Sequence, residues 1–204
     1  LVSLAGILYE YDFMAHVPSD IGIDQLYLSP QNTKVQEHLN FVQNWTVQNS
    51  MKINSSKSNY MIFSRCHENF ATRLTLNGEK IDRKEVNKIL GIWLTEDAGD
   101  WQKNTSEICK KAYGRMSMLT KLKYAGVEIE DLIDIYSLFI RSCAEYCSVV
   151  FHGSLTNEQS QKIENIQKTS LKIILSDNFV DYSAACEMTG LLSLAERRQN
   201  RMLS

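Results

Sequence analysis

The sequence predicts an α+β chain in two parts: a mixed first half over residues 1–96, with a small antiparallel sheet and one helix, and an all-helical second half over 97–204. Three observations predict it. Short β-rich runs separated by turn residues fill the first half. From about residue 98 the apolar rhythm changes to intervals of three and four, the helical spacing. Both prolines, Pro18 and Pro30, precede residue 31, which leaves a long proline-free run suited to helices.

The elements follow in order. Residues 4–17 are apolar and aromatic and read as a strand or a hairpin. Over 31–49, Val35, Leu39, Val42 and Trp45 recur at helical spacing, and Asn32 or Thr33 can cap the start. Residues 51–53 and 60–63 are short strand candidates joined by the polar turn 54–58. Residues 73–76 and 80–82 flank Asn77-Gly78, the residue pair that best accepts a tight hairpin turn. Residues 89–95 read as one further strand. In the second half, Ile108, Ala112, Arg115, Leu119 and Leu122 share one face of a helix ending near Gly126. Leu132, Ile135, Tyr136, Phe139, Ile140, Cys143, Tyr146, Cys147 and Val150 form a wide stripe, which predicts a single well-buried helix with Phe139 in its core. Ile163, Ile166, Ser170, Ile173 and Ile174 mark another, and 182–188 and 194–203 two shorter ones.

Hydrophobic content of 44% and charged content of 23% are ordinary for a globular chain. A formal charge of −2 supplies no general attraction to nucleic acid, so any such function rests on local charge. Local charge is present. Residues 101–124 carry Lys103, Lys110, Lys111, Arg115, Lys121 and Lys123 against Glu107 alone, a balance of +5 that leaves about −7 for the rest. Arg197, Arg198 and Arg201 form a second, weaker basic patch. The five cysteines make neither a CxxC pair nor an even set, so free thiols are expected, with Cys143 and Cys147 on one helix face. His16, His38, His67 and His152 lack ligand spacing, and no partner pair at zinc-finger spacing follows Cys66-His67. Trp45, Trp93 and Trp101 read as packing residues. No apolar run approaches the roughly 20 residues that span a bilayer. Without a secretory signal, an intracellular chain of nucleus or cytoplasm with no membrane contact is expected, and the three Asn-x-Ser/Thr sequons read as chance matches. The chain opens on Leu1 in what reads as mid-domain sequence, so a fragment is expected.

Trp45, then residues 51–57 (MKINSSK), then Met61-Ile62-Phe63 resemble the "W … GMxxNxxKTxxMxF" block of the reverse transcriptases of non-LTR (LINE-like) retrotransposons. Leu90-Gly91-Ile92-Trp93-Leu94 resembles that family's "YLGVxI" strand. Trp101, residues 108–112 (ICKKA) and Arg115 resemble "W..H…ICKKANRR". Residues 135–151 resemble "LYxSLIRSxLEYCSPVW", 163–168 resemble "IExVQRRA", and 189–198 resemble "LGLLSLxxRR". The six blocks keep the family's order and cover nearly the whole chain.

The resemblance implies the last part of a polymerase palm over 1–96 and a helical thumb and connection over 97–204, with the fingers and first palm aspartate upstream of Leu1. In the parent family, Mg²⁺ ions held by aspartates carry nucleotide addition. The best match to the family's Tyr-x-Asp-Asp hairpin is Tyr9-Glu10-Tyr11-Asp12, with Tyr11 where an aspartate is expected. Asp12 alone remains as a catalytic or metal-binding candidate. A phenol is a poor Mg²⁺ ligand, so no cofactor and no activity are expected for this chain alone. Lys57 falls in a block that supplies a general acid to the leaving pyrophosphate. The resemblance sets Gly91 near the primer grip, and Lys110, Lys111 and Arg115 beside an RNA or RNA–DNA duplex, held weakly by charge. The residues leave plainer readings open: Asp12 as an edge carboxylate, Lys57 as a turn lysine in solvent, and the basic helix as a solvated face balanced by Glu128, Glu130 and Asp131. Two functions stay in view: a truncated RNA-directed DNA polymerase, and a non-catalytic nucleic-acid-binding or protein-interaction module derived from one.

Overall fold

The computed structural model describes residues 5–9, 13–14, 25–26, 33–51, 53–55, 58–63, 73–97 and 99–203, and the chain divides into two compact units, Leu1–Asp100 and Trp101–Ser204. The chain is α+β, with short strands and one helix in the first unit and helices throughout the second.

In the first unit, β1 (Ala5–Tyr9), β2 (Phe13–Met14) and β3 (Gln25–Leu26) pair antiparallel in turn, with Leu8 opposite Phe13 and Phe13 opposite Leu26. On the other side of β1, β4 (Asn59–Phe63) runs parallel to it, and β7 (Asp82–Arg83) runs parallel to β4. The sheet is therefore mixed, in the order β3-β2-β1-β4-β7, and not the antiparallel sheet expected. Burial explains the difference. Tyr60, Met61 and Ile62 are buried in succession, so β4 has no solvent face and takes an interior position. Entering parallel to β1 requires a crossover, and helix α1 (Thr33–Gln48) lies between the two strands in sequence.

Helix α1 packs Val35, Leu39 and Val42 against Ile53, Tyr60, Ile62, Leu74, Leu76 and Ile81. Its polar residues grip a strand edge: the Gln36 amide bonds both backbone groups of Thr75 at 2.9 Å. The expected hairpin forms between β5 (Thr75–Leu76) and β6 (Glu79–Lys80), with Asn77 and Gly78 at φ +54° and +77°. Of the strand expected over 51–53, Ile53 makes an isolated bridge and is buried in the core, and residue 52 lies outside the described residues. Residues 89–95 are not one strand. β8 (Val86–Ile89) and β9 (Ile92–Thr95) fold back antiparallel about Leu90-Gly91, at φ +47° and +90°. A leucine rarely accepts positive φ, because its Cβ crowds the backbone there, so nothing at position 90 signalled a turn.

The second unit begins with helix α2 (Gln102–Tyr124), which ends where Gly126 adopts φ +82°. The single helix expected over 132–150 is interrupted. It consists of α3 (Ile129–Ile135), a π-helical stretch Tyr136–Arg141 and α4 (Ser142–Glu145); after Cys147 turns left-handed at φ +51°, α5 (Ser148–Phe151) and a 3₁₀ turn His152–Ser154 follow. Leu132, Tyr136, Ile140 and Ala144, at strict intervals of four, are all fully buried. On a regular α-helix residues four apart drift by about 40° per step. The wider π turns absorb that drift. Phe139, expected in the core, is instead 50% exposed, and Cys147 leaves the face of buried Cys143.

Helices α6 (Asn157–Leu175), α7 (Tyr182–Thr189) and α8 (Leu194–Leu203) complete the unit. Each start is capped by a side chain. Thr156 and Gln159 bond reciprocally, Asp181 accepts from the Ala184 N–H at 2.9 Å, and Ser193 and Glu196 pair as a second reciprocal cap.

Candidate nucleic-acid interface

Helix α2 owes its orientation to one apolar face. Thr105, Ala112, Met116 and Leu119 are buried, and the Cys109 thiol meets the Lys162 carbonyl of α6 at 3.7 Å. Burial pushes the Cys109 thiol up, which leaves it a packing group and not a nucleophile. The opposite face is open, with Lys103, Lys110 and Lys121 exposed along it and the small residues Ser106, Gly114 and Ser117 between them. Helical geometry aligns these lysines. Steps of 7, 11 and 18 residues return to within about 20° of one azimuth, and Lys103 to Lys121 spans roughly 27 Å along the axis.

Lys103 forms an ion pair with Glu107 at 3.2 Å. Among the described residues, Lys110, Lys111 and Lys121 form none, so Glu128, Glu130 and Asp131 do not pair with them. Lys121 also stands in the last turn, where the helix dipole favours a cation. Lys110, Lys111 and Arg115 therefore separate. Lys110 and Lys111 are both exposed, but Lys111 points about 100° away. Arg115 is half-buried, and its Nη1 donates to the Phe139 carbonyl of the π-helical stretch. Its guanidinium is committed to holding α2 against that stretch. Lys103 and Lys121, in contrast, join Lys110 on the open face; the signal that finds them is the 7- and 11-residue spacing, which outranks adjacency on a helix.

The second basic patch does not form an anion-binding surface. Arg197 and Arg201 both donate to the carboxylate of buried Glu145, Arg201 at 2.9 Å, and Arg141 lies 4.0 Å from the same group. The Glu145 hydrogen bond holds Arg197 above the usual arginine range. Arg198 is fully buried. Glu145 was missed as a structural centre, although a lone carboxylate within an apolar stripe, four residues after Arg141, was its visible sign. Gln167 was missed too: it accepts from the Tyr136 hydroxyl at 2.8 Å and donates to the Leu192 carbonyl at 3.0 Å inside the core.

Gly91 sits in the first unit, exposed, at the tip of the β8–β9 hairpin rather than within a strand. Asp12 and Lys57 lie outside the described residues. Among the described residues, no group of three or more His, Cys, Asp or Glu side chains is placed to hold a metal ion, and no helix is long and apolar enough to cross a membrane. No protein family, curated protein or solved structure matches the chain.

Proposed function

We propose that this chain is a palm-to-connection fragment of a non-LTR retrotransposon reverse transcriptase, inactive in polymerisation by itself, whose second unit binds an RNA or RNA–DNA duplex through the backbone. The observation that carries the binding reading is the open face of α2: lysines at one azimuth, two of the three without an ion pair, with small side chains between them. A phosphodiester backbone can approach such a face closely, and each lysine it neutralises releases condensed counterions. Inactivity rests on the sequence. One carboxylate, Asp12, beside Tyr11 does not make the donor set of a two-metal site, so no catalytic step is derived through Mg²⁺. A second reading, a protein-interaction module, draws support from Leu138, Phe139, Val149 and Val150, all at least half exposed.

Fluorescence anisotropy across a salt series tests the first reading. Binding should be independent of sequence and weaken as salt rises. The pair Lys110→Gln and Lys121→Gln should lower the log–log salt slope by roughly two, one for each lost phosphate contact. Arg115→Gln should leave the slope unchanged, because that side chain is held by Phe139. No binding at low salt, or a slope unmoved by the double substitution, would leave α2 a solvated face.

A further inference from the structure

Helix α2 and residues 129–142 lie side by side on α6. On α2, Ala112, Met116 and Leu119 are buried, and Cys109 meets the Lys162 carbonyl of α6. In the stretch 129–142, Leu132, Tyr136 and Ile140 are buried, and the Tyr136 hydroxyl reaches Gln167 of α6 at 2.8 Å. The two run antiparallel, because residues 125–128 alone join them. Arg115 fixes their level: it stands nine residues before the end of α2 and bonds the Phe139 carbonyl, ten residues after the start of α3. Both elements turn their buried sides to α6, so their outer sides face solvent together as one two-helix layer.

The two outer sides differ in charge. Where a buried line keeps intervals of four, residues two positions away stand half a turn round. That outer line is Glu130, Asp134, Leu138 and Ser142, all exposed, with Asp131 and Phe139 beside it. Among the described residues, Glu130, Asp131 and Asp134 form no ion pair, and neither do Lys110 and Lys121 on α2. One helix of the layer is therefore basic, and its neighbour is acidic and apolar, with Leu138 69% exposed. Counted from the Arg115–Phe139 contact, Lys121 stands level with Asp134, and Gly114 and Ser117 flank the level of Leu138.

We propose that this layer is an interface between two copies of the chain, related by a two-fold axis parallel to the helices. Such an axis keeps every level and exchanges the helices, so each α2 lies on the acidic line of the second copy. Lys121 then faces Asp134 of the second copy, twice by symmetry, and Leu138 enters the gap left by Gly114 and Ser117. The layer offers roughly 600 Å² per partner from helix lengths and diameters, the scale of a weak, reversible interface. The inference does not rest on the duplex reading. Because the dimer covers the α2 lysines, self-association and duplex binding exclude each other.

Sedimentation equilibrium of the full chain, free of nucleic acid and run across a salt series, is the test. A monomer–dimer equilibrium that weakens as salt rises is expected. Lys121→Glu and Asp134→Lys should each weaken it about tenfold or more, since each reversal opposes like charges at two places. An equimolar mixture of the two variants should dimerise like the wild type, because every pair is again of opposite sign. Gly114→Gln tests the shape. Nothing lies within 4 Å of a Cβ added at Gly114, so the thermal midpoint should hold while the dimer weakens about tenfold or more. Asp134→Lys should leave duplex affinity undiminished, which separates failure of this interface from failure of the lysine face. A chain that stays monomeric at low salt, or a dimer that ignores Gly114→Gln and is not restored in the mixture, overturns the proposal.

Discussion

Helix α6 and the segment from Ile129 to Phe151 have similar lengths, and the segment is the more apolar of the two, yet α6 is a regular helix and the segment is broken three ways. In α6, Ile163, Ile166, Ser170 and Ile174 are buried at intervals of three and four, and the helix runs uninterrupted from its reciprocal cap. In the other segment the buried line holds strict intervals of four, which only a π turn can keep on one side, and a left-handed Cys147 then ends it. Apolar periodicity therefore reports which residues face inward only while the register stays α-helical. Where an extra residue enters a turn, neighbouring positions exchange sides although composition is unchanged.

The largest test of this comparison pairs adjacent residues. Ile140→Ala should destabilise by about 2–5 kcal/mol, since that side chain is fully buried and a cavity results. Phe139→Ala should cost about 1 kcal/mol or less, because half of the ring is already in water. On a regular helix continuing the stripe of α3 the order would be reversed. In α6, Ile166→Ala should behave like Ile140→Ala. Denaturant midpoints at constant m-value decide, and an equal or larger loss for Phe139→Ala would remove the π-helical register.

Glu145 provides the next test. It ends α4 and carries two arginines from α8, so the broken segment is fixed through charge where α6 is fixed mainly by apolar contact. Glu145→Gln keeps the shape and removes the charge; a loss of about 2 kcal/mol is expected for two hydrogen bonds that cease to be charge-assisted. The figure stays modest because Arg197 and Arg201 are 27% and 45% exposed and can recover water. An unchanged midpoint would reduce the cluster to a surface pairing.

How much of this was legible follows from the same contrast. Helices α1, α2 and α6 and the Asn77-Gly78 hairpin were readable, because each is specified by local spacing or by a turn residue with one preferred geometry. The Leu90-Gly91 turn was not, because leucine at φ +47° is set by its strand partners and not by its own preference. The parallel placement of β4 is a matter of tertiary pairing, invisible in a five-residue run. For the candidate interface, the lysines were countable but their azimuths were not. Lys110 and Lys111 are neighbours in sequence and face apart, and Arg115 belongs to Phe139. Arg197 and Arg201 looked like surface cations until the buried carboxylate that claims them was in place.

The smallest effect concerns how the two segments begin. Thr156 caps α6 from extended backbone, accepting from the Gln159 N–H at 3.2 Å while the Gln159 side chain accepts from the Thr156 N–H at 3.0 Å. Glu128 occupies the equivalent position before α3 with the same extended geometry, φ −62° and ψ 155°, and makes no side-chain cap bond. Its carboxylate arm is one methylene too long for the short reach to the second or third N–H that serine and aspartate make well. Thr156→Ala should therefore lose about 1 kcal/mol. Glu128→Ser should gain about 0.5–1 kcal/mol, because the new hydroxyl satisfies a free N–H while Glu130 and Asp131 keep the first turn acidic. Opposite signs at matched positions, read as shifts in thermal midpoint, are the expected result. If Glu128→Ser is neutral or harmful, the start of α3 is held by packing of Leu132 rather than by its end groups, and the difference between the two segments begins before the π turn.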